Sequence, residues 1–362
     1  MMRPLFLIPS TRGGGAEHVV VSWVNGLRRS GHDPHMATFL PTDAPKGIDV
    51  ANWHQLDRSG GALRWLSSGR DIRRLVDETK PDVLVSSLTV LNILSARLAG
   101  RIGCPVVICE HTVASRLLRS GGPKGRIKRF LAGRAYREAD AAIAVSHAVA
   151  TDLICCFGIA SDRVWVLPNP VVDDDASPSE APSPPGRIRL LFVGRLVQPK
   201  QPLRVLETGV ELRRRGVDVS ICFVGDGPLH HSIVATAGEA GLLVEMRPFD
   251  PRWPDQQQSE TVVMLPSDIE GFGNVLVQAA IAGIPAVAPS QALGVGDAIV
   301  PGVTGVLALS PRAGHLADAA IEAVSVNGVS MAPWRARFGE ASAAHRLGVV
   351  LETVIAEWAS RA

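Results

Sequence analysis

Short apolar runs alternate with longer amphipathic stretches from the start of the chain: residues 5–8 then 17–29, 34–40 then 63–78, 82–86 then 90–101, and then 106–110. Runs of this length suit buried strands, and stretches with apolar residues three and four apart suit helices. Their regular alternation predicts βαβ units and a parallel sheet. The pattern continues through a strand at 141–145, a helix at 147–157 and a strand at 163–167, and breaks at Pro168-Asn169-Pro170.

Residues 173–187 read DDDASPSEAPSPPGR, with four prolines and four acidic residues. Such a composition buries no apolar surface and favours extended backbone, which makes it a linker. Beyond it the alternation restarts, with strands expected at 188–193, 217–224, 243–247, 262–265 and 285–288 and helices near 202–215, 229–240 and 274–282. A last helical pattern, 341–359, follows a break at Pro333-Trp334, and periodicity leaves open which domain it joins. The expected organisation is a first domain at 1–172, a linker at 173–187, a second domain at 188–332 and a C-terminal helical segment at 333–362. Both domains read as α/β, Rossmann-like, doubly wound parallel sheets. Sheets of this kind bind ligands beyond the carboxyl ends of their strands, so two of them facing each other would enclose a central cleft.

Composition narrows the function. The chain has 362 residues, 46% hydrophobic and 20% charged, which is ordinary for a folded globular protein. A net charge of +2 is too small to make the whole surface a trap for nucleic acid. The five cysteines form no C-x-x-C pair and sit mostly in apolar runs, so neither a disulfide framework nor a zinc site is expected. A reducing, cytoplasmic location is the simplest reading. No uninterrupted apolar run approaches the ~18 residues of a membrane span. Arg outnumbers Lys throughout, so Lys200, the only Lys after residue 128, stands out.

Several strand ends carry candidate chemistry. Gly13-Gly14-Gly15-Ala16-Glu17 follows the first strand, where glycines and a helix start can admit an anion; an ordinary turn would look the same. The second domain opens with LLFVGRLVQPKQP, which places Gly194, Arg195 and Lys200 just past a strand, where two cations can hold a diphosphate. Gly225-Asp226-Gly227-Pro228 ends another strand and reads mainly as architecture. The richest stretch is LPSDIEGFGNVLVQAAIAGIPAVA, residues 265–288. There Glu270 and Gly271-Phe272-Gly273 precede a helix whose first amides lie near Asn274 and Val275, and Gln278 falls one turn later. Glu270 would either hold sugar hydroxyls or simply cap the helix. His111 follows an apolar strand and would touch a ligand there, although an isolated His is more often structural.

Taken together these motifs resemble the retaining nucleotide-sugar glycosyltransferases of family 4, which have the GT-B fold. The resemblance runs over nearly the whole chain: GGAE, VSHAV, VLPNPV, FVGRL with its following Lys, VGDGP, and PS-x-x-EGFG with A-x-x-G-x-P-x-V-A. It implies that Arg195 and Lys200 bind the donor diphosphate, that Gly14 and Gly15 face it from the other domain, and that Glu270 with the amides of Phe272 to Val275 holds sugar hydroxyls and phosphate. It also implies that His111 lies at the reacting sugar, that the base rests near Arg247, Pro248 and Phe249, and that the C-terminal helix crosses back to the first domain. One position departs from the family: where a second Glu normally contacts the ribose, this chain has Gln278, a neutral and weaker partner. The stretch 250–259, with Trp253 and three consecutive Gln, departs from the helix usual there.

The implied reaction transfers a hexose-type sugar from a nucleotide-diphosphate sugar to an acceptor hydroxyl on a glycan, glycolipid or lipid-linked saccharide, with retention and without a metal or other cofactor. No second carboxylate is obviously placed as nucleophile, which favours a same-face displacement over a double one. Asp173-Asp174-Asp175 imitates a manganese-binding motif but falls in the linker. From 116 to 137 there are eight basic residues and no acidic one, including Arg116, Arg119, Lys124, Arg126, Lys128 and Arg129, with Leu117, Leu118, Ile127, Phe130 and Leu131 interleaved. This predicts a surface for anionic lipid or an anionic acceptor, hence weak association with the inner face of a membrane. The rival readings are a non-catalytic nucleotide- or partner-binding protein of the same fold, a dinucleotide oxidoreductase, which lacks G-x-G-x-x-G, and a sugar-nucleotide epimerase.

Overall fold

The computed structural model describes every residue except 12, 13, 46, 57–67, 172–186, 257–259, 327–331 and 362. The linker expected at 173–187 therefore lies almost wholly outside the described residues. The chain forms two compact units, Met1–Asp174 with Ala336–Ala362, and Asp175–Arg335.

The first unit contains β1 (Pro4–Ile8), α1 (Gly15–Arg29), β2 (His35–Thr38), β3 (Trp53–Gln55), α2 (Ser68–Thr79), β4 (Val83–Ser87), α3 (Thr89–Ala96) and β5 (Val106–Glu110). It continues with α4 (Ala114–Ser120), α5 (Gly122–Ala135), β6 (Ala141–Ala144), α6 (His147–Phe157) and β7 (Val164–Val166). Seven strands pair in parallel in the order β3-β2-β1-β4-β5-β6-β7, reversing direction between β1 and β4. Every residue of β1, β4 and β5 is buried, as expected of a sheet covered on both faces.

The second unit contains β8 (Arg187–Val193), α7 (Leu203–Arg214), β9 (Asp218–Val224), α8 (His230–Glu239), β10 (Val244–Arg247), β11 (Thr261–Met264), α9 (Asn274–Ile281), β12 (Ala286–Pro289), β13 (Gly305–Ala308) and α10 (Ala313–Val324). Its six parallel strands run in the order β10-β9-β8-β11-β12-β13, so the reversal falls between β8 and β11. On β8, Ile188, Leu190 and Phe192 share one face and pack with Val205 and Leu206 of α7 and Leu316 and Ala320 of α10.

After a short α11 (Ala332–Ala336), α12 (Glu340–Ala359) packs on α1 and belongs to the first unit. Its Ala343, Leu347, Val350, Leu351 and Val354 share a core with Trp23, Val24 and Leu27. A Cβ on Gly26 would stand 2.5 Å from Cβ of Ala344, so a glycine lets the two helices approach.

Differences from the sequence reading have local causes. The helix expected over 90–101 stops at Ala96, and the residues after it turn. β3 is three residues long at the edge of its sheet, too short and too polar to register as an apolar run. β13 opens on a glycine because a side chain there would meet the Ala286 carbonyl oxygen at 2.1 Å. The basic stretch from 116 to 137 folds as two helices, α4 and α5, joined at Gly121.

Candidate functional site

In a doubly wound sheet, the loops after the two strands flanking the reversal splay apart and leave a crevice. In the second unit those loops follow β8 and β11, and they carry Gly194-Arg195-Lys200 and Glu270. Lys200 Nζ lies 2.6 Å from Glu270 Oε1, and the Ser267 hydroxyl donates to the same oxygen at 2.6 Å. The Glu270 side chain is only 8% exposed, whereas that of Lys200 is 29% exposed. Arg195 projects into solvent without a side-chain partner among the described residues.

The two loops are stitched together beside this pair. Arg204 bonds Asp268 at 2.7 Å and the Pro266 carbonyl at 2.9 Å, and the Gln201 amide donates to Asp268 at 2.6 Å. These contacts fix where Glu270 sits. They were not visible in the sequence, because the paired residues lie more than sixty positions apart and follow no periodic pattern.

Glu270 does not cap the following helix. The residue before α9 is Gly273, in left-handed backbone at φ 95°, and it has no side chain to cap the helix. The start of α9 thus lies beside Glu270 as a helix N-terminus, where backbone amides and the helix dipole suit an anion. Asn274 and Gln278 are both half-buried and lie one turn apart, while Leu276 and Val277 face the core. Phe272 is buried. Behind this loop Leu293-Gly294 bridges to Glu270, and a Cβ on Gly294 would meet the Gly271 oxygen at 2.2 Å.

The neighbouring strand ends complete the rim. A Cβ on Gly225 would stand 2.1 Å from the Gly194 oxygen, and one on Gly227 2.5 Å from the Leu196 oxygen. Both glycines have positive φ, 141° and 157°, so backbone conformation and space each require them. At the end of β10, Arg247 pairs with Glu245 at 2.5 Å, Pro248 follows, and Phe249 is exposed. Glu245 also holds Arg189 at 2.8 Å. Of the stretch 250–259, the described residues 250–256 carry a 3-10 turn, Trp253–Gln256, with Trp253 buried, and 257–259 lie outside the described residues.

In the first unit, Gly14 precedes α1 and Gly15 opens it. Gly14 has ordinary extended backbone; its constraint is the Glu17 carboxylate, which a Cβ would meet at 1.9 Å. His111, just past β5, is buried, with its Nε2 3.4 Å from Cys109 Sγ and its ring centroid 6.1 Å from that of Trp23. Its Nδ1 has no partner among the described residues. Burial pushes its pKa down to about 4, so the imidazole is neutral at physiological pH. Arg116, Arg119, Lys124, Arg126 and Lys128 are exposed on α4 and α5, and Arg129 is half-buried. Ile127 and Phe130 project at 61% and 64% exposure and Leu117 at 39%, while Leu118 is buried.

Residues 13–175 match the model described as Glycosyltransferase Family 4, and residues 173–345 match Glycosyl transferases group 1. The chain is similar to the D-inositol 3-phosphate glycosyltransferase of Pseudarthrobacter chlorophenolicus, 29% identical over 268 residues, covering 68% of this chain and 63% of that protein. It thus spans less than two thirds of that relative's length. It is also similar to the glycogen synthase of Mycobacterium tuberculosis, 28% identical over 295 residues, covering 77% of this chain and 66% of that protein. Among solved structures, the lipopolysaccharide outer core galactosyltransferase WaaB in its apo form superposes with a TM-score of 0.75 at 19% identity, covering 97% of this chain and 99% of that one. Anabaena HepE in complex with UDP and glucose superposes with a TM-score of 0.75 at 18% identity, covering 98% and 100%. The two parallel α/β sheets and these matches place the chain among the GT-B glycosyltransferases, as a family 4 part followed by a group 1 part.

Proposed function

We propose that this chain is a retaining hexosyltransferase that moves a sugar from a nucleotide diphosphate to an acceptor hydroxyl without a metal. The observation that carries the proposal is the Lys200–Glu270 pair at the reversal of the second sheet, beside the exposed Arg195 and the start of α9. A diphosphate would draw Lys200 toward itself and take Arg195 and the α9 amides as further donors. Glu270, with Ser267 still bonded, would then accept from sugar hydroxyls. As the bond to the anomeric carbon breaks, negative charge builds on the leaving phosphate, which these cations and amides stabilise. Neutral His111 can give a hydrogen bond to a sugar hydroxyl. The exposed Phe249 and the backbone around Pro248 suit the nucleobase, and Gln278 suits the ribose.

The acceptor is a glycan, glycolipid or lipid-linked saccharide, and the basic face of α4 and α5 is its approach. Phe130 and Ile127 rise among Arg126, Lys128 and Arg134, a combination that suits anionic lipid headgroups. No helix among the described residues is long and apolar enough to cross a membrane.

The test is thermal stabilisation by a panel of UDP-, GDP-, ADP- and dTDP-sugars with chelator present. A donor at about a hundred times its Kd stabilises the fold by about 2.7 kcal/mol. One donor should raise Tm, the rise should vanish in Arg195→Ala, and it should grow in Gln278→Glu. The product's anomeric configuration, read by NMR, should match the donor's. A folded sample that no nucleotide sugar stabilises would move the reading to a non-catalytic binding protein.

A further inference from the structure

Glu110 ends β5, immediately before His111, and is 1% exposed. Its Oε1 accepts the Tyr136 hydroxyl, the only tyrosine in the chain, and the Asn92 amide at 3.1 Å, and Thr89 lies near the same carboxyl. Asn92 also donates to the Cys109 carbonyl at 2.8 Å and accepts from Ser86 at 2.9 Å. This buried network joins β4, the start of α3, the end of β5 and the turn that closes α5. Tyr136 in turn leans on Phe157 of α6, with ring centroids 5.2 Å apart.

Among the described residues no cation faces the carboxyl. The 3-10 turn after α5 contributes Tyr136, α6 contributes the like-charged Asp152, α3 contributes only Thr89 and Asn92, and β5 itself contributes Cys109, with His111 just beyond. Asp152 is engaged by the Ser115 backbone amide at 2.9 Å.

We propose that Glu110 is a positioning residue, which clamps the end of α5 to the strand end bearing His111 through Tyr136 and releases that segment when the carboxyl loses its proton. A buried acid without a cation is penalised as an anion, so ionisation favours any opening that lets water reach it. Burial pushes Glu110 from 4.5 up to about 7, which sets the window in which the clamp loosens. Tyr136, pushed well above its usual value by burial, keeps its proton throughout. That the segment presents the acceptor-facing helix rests on the proposed function; the clamp itself does not, and its test uses the protein without donor or acceptor.

The test is hydrogen–deuterium exchange across residues 111–137, corrected for the intrinsic pH dependence of amide exchange. Linkage predicts that opening grows about tenfold per pH unit between 4.5 and about 7 and levels off above. This segment should exchange faster than β1 of the same unit, and α7 of the second unit should show no such slope. Glu110→Gln, which keeps both acceptor bonds but has no proton to lose, should flatten the profile. Tyr136→Phe removes a bond that holds the carboxyl's pKa down, so its steep region should extend to higher pH. A flat wild-type profile, or a slope that survives in Glu110→Gln, overturns the proposal. Should Glu110→Gln fail to fold, an unmoved steep region in Tyr136→Phe overturns it equally.

Discussion

Replacing Gly225 by Ala tests how the floor of the candidate donor site is built. The new Cβ would stand 2.1 Å from the Gly194 carbonyl oxygen and 2.9 Å from its carbon, at a backbone φ of 141°. The backbone conformation costs about 1–3 kcal/mol for a residue with a side chain. The collision is with backbone, so no flexible group can yield, and the strand ends must part at a further cost of about 1–3 kcal/mol. The sum, on the order of 4 kcal/mol, corresponds to a fall in Tm of roughly 10 °C for a unit of this size. Gly216→Ala is the control: its φ is 82° and nothing lies within 4 Å, so it carries the backbone cost alone. Scanning calorimetry should place Gly225→Ala clearly below Gly216→Ala. Because Gly194 precedes Arg195, the displaced strand end should also abolish stabilisation by the donor sugar, which Gly216→Ala should retain. Equal melting of the two variants would refute the close-approach argument.

Three more outcomes follow from contacts described above. Glu110, raised from 4.5 to about 7, contributes stability that is complete below pH 4.5 and lost as pH rises through about 7. At about 1.4 kcal/mol per pH unit, Glu110→Gln should gain roughly 3 kcal/mol on the wild type across that window, and denaturation curves that stay parallel would contradict it. Lys200→Ala leaves the Glu270 carboxylate buried with Ser267 as its remaining side-chain donor, a loss of about 1–2 kcal/mol given the partial exposure of Lys200. Adding Glu270→Gln should restore stability by urea denaturation but not donor binding, and restored binding would remove Lys200 from the donor site. Ile127→Ser with Phe130→Ser removes two exposed side chains, so Tm should hold within about 2 °C, while sedimentation with anionic vesicles at low salt should be lost. Unchanged sedimentation would move the lipid surface elsewhere.

Much of this was legible because central strands such as β1, β4 and β5 are wholly buried and read as apolar runs. The sequence expectation for β5 matched the structure at both ends, β4 was displaced by one residue, and β8 starts one residue earlier than expected. β3 and β13 escaped notice because a Trp-His-Gln edge strand and a strand opening on glycine carry little apolar signal. Lys200 and Glu270 each stood out, one as a rare Lys and the other within a glycine-rich loop, but their direct bond depends on strand order, which periodicity does not encode. Glu110 was passed over as the end of a strand. Its signal was a single acidic residue closing the run Val106-Val107-Ile108-Cys109, where a carboxyl must find buried partners.

The placement of α12 has a consequence for how the chain is made. Residues 175–335 form one continuous unit, whereas the core beneath Trp23 and Leu27 waits for Leu347, Val350 and Leu351, more than three hundred residues downstream. Domains fold as units during synthesis, usually from the N-terminus onward. Here that order cannot be completed: the apolar stripe of α1 stays without its partner helix throughout the synthesis of the second unit. During that interval the stripe is a natural target for chaperones, and a ribosome stalled before residue 340 would release a chain with one finished unit and one open core.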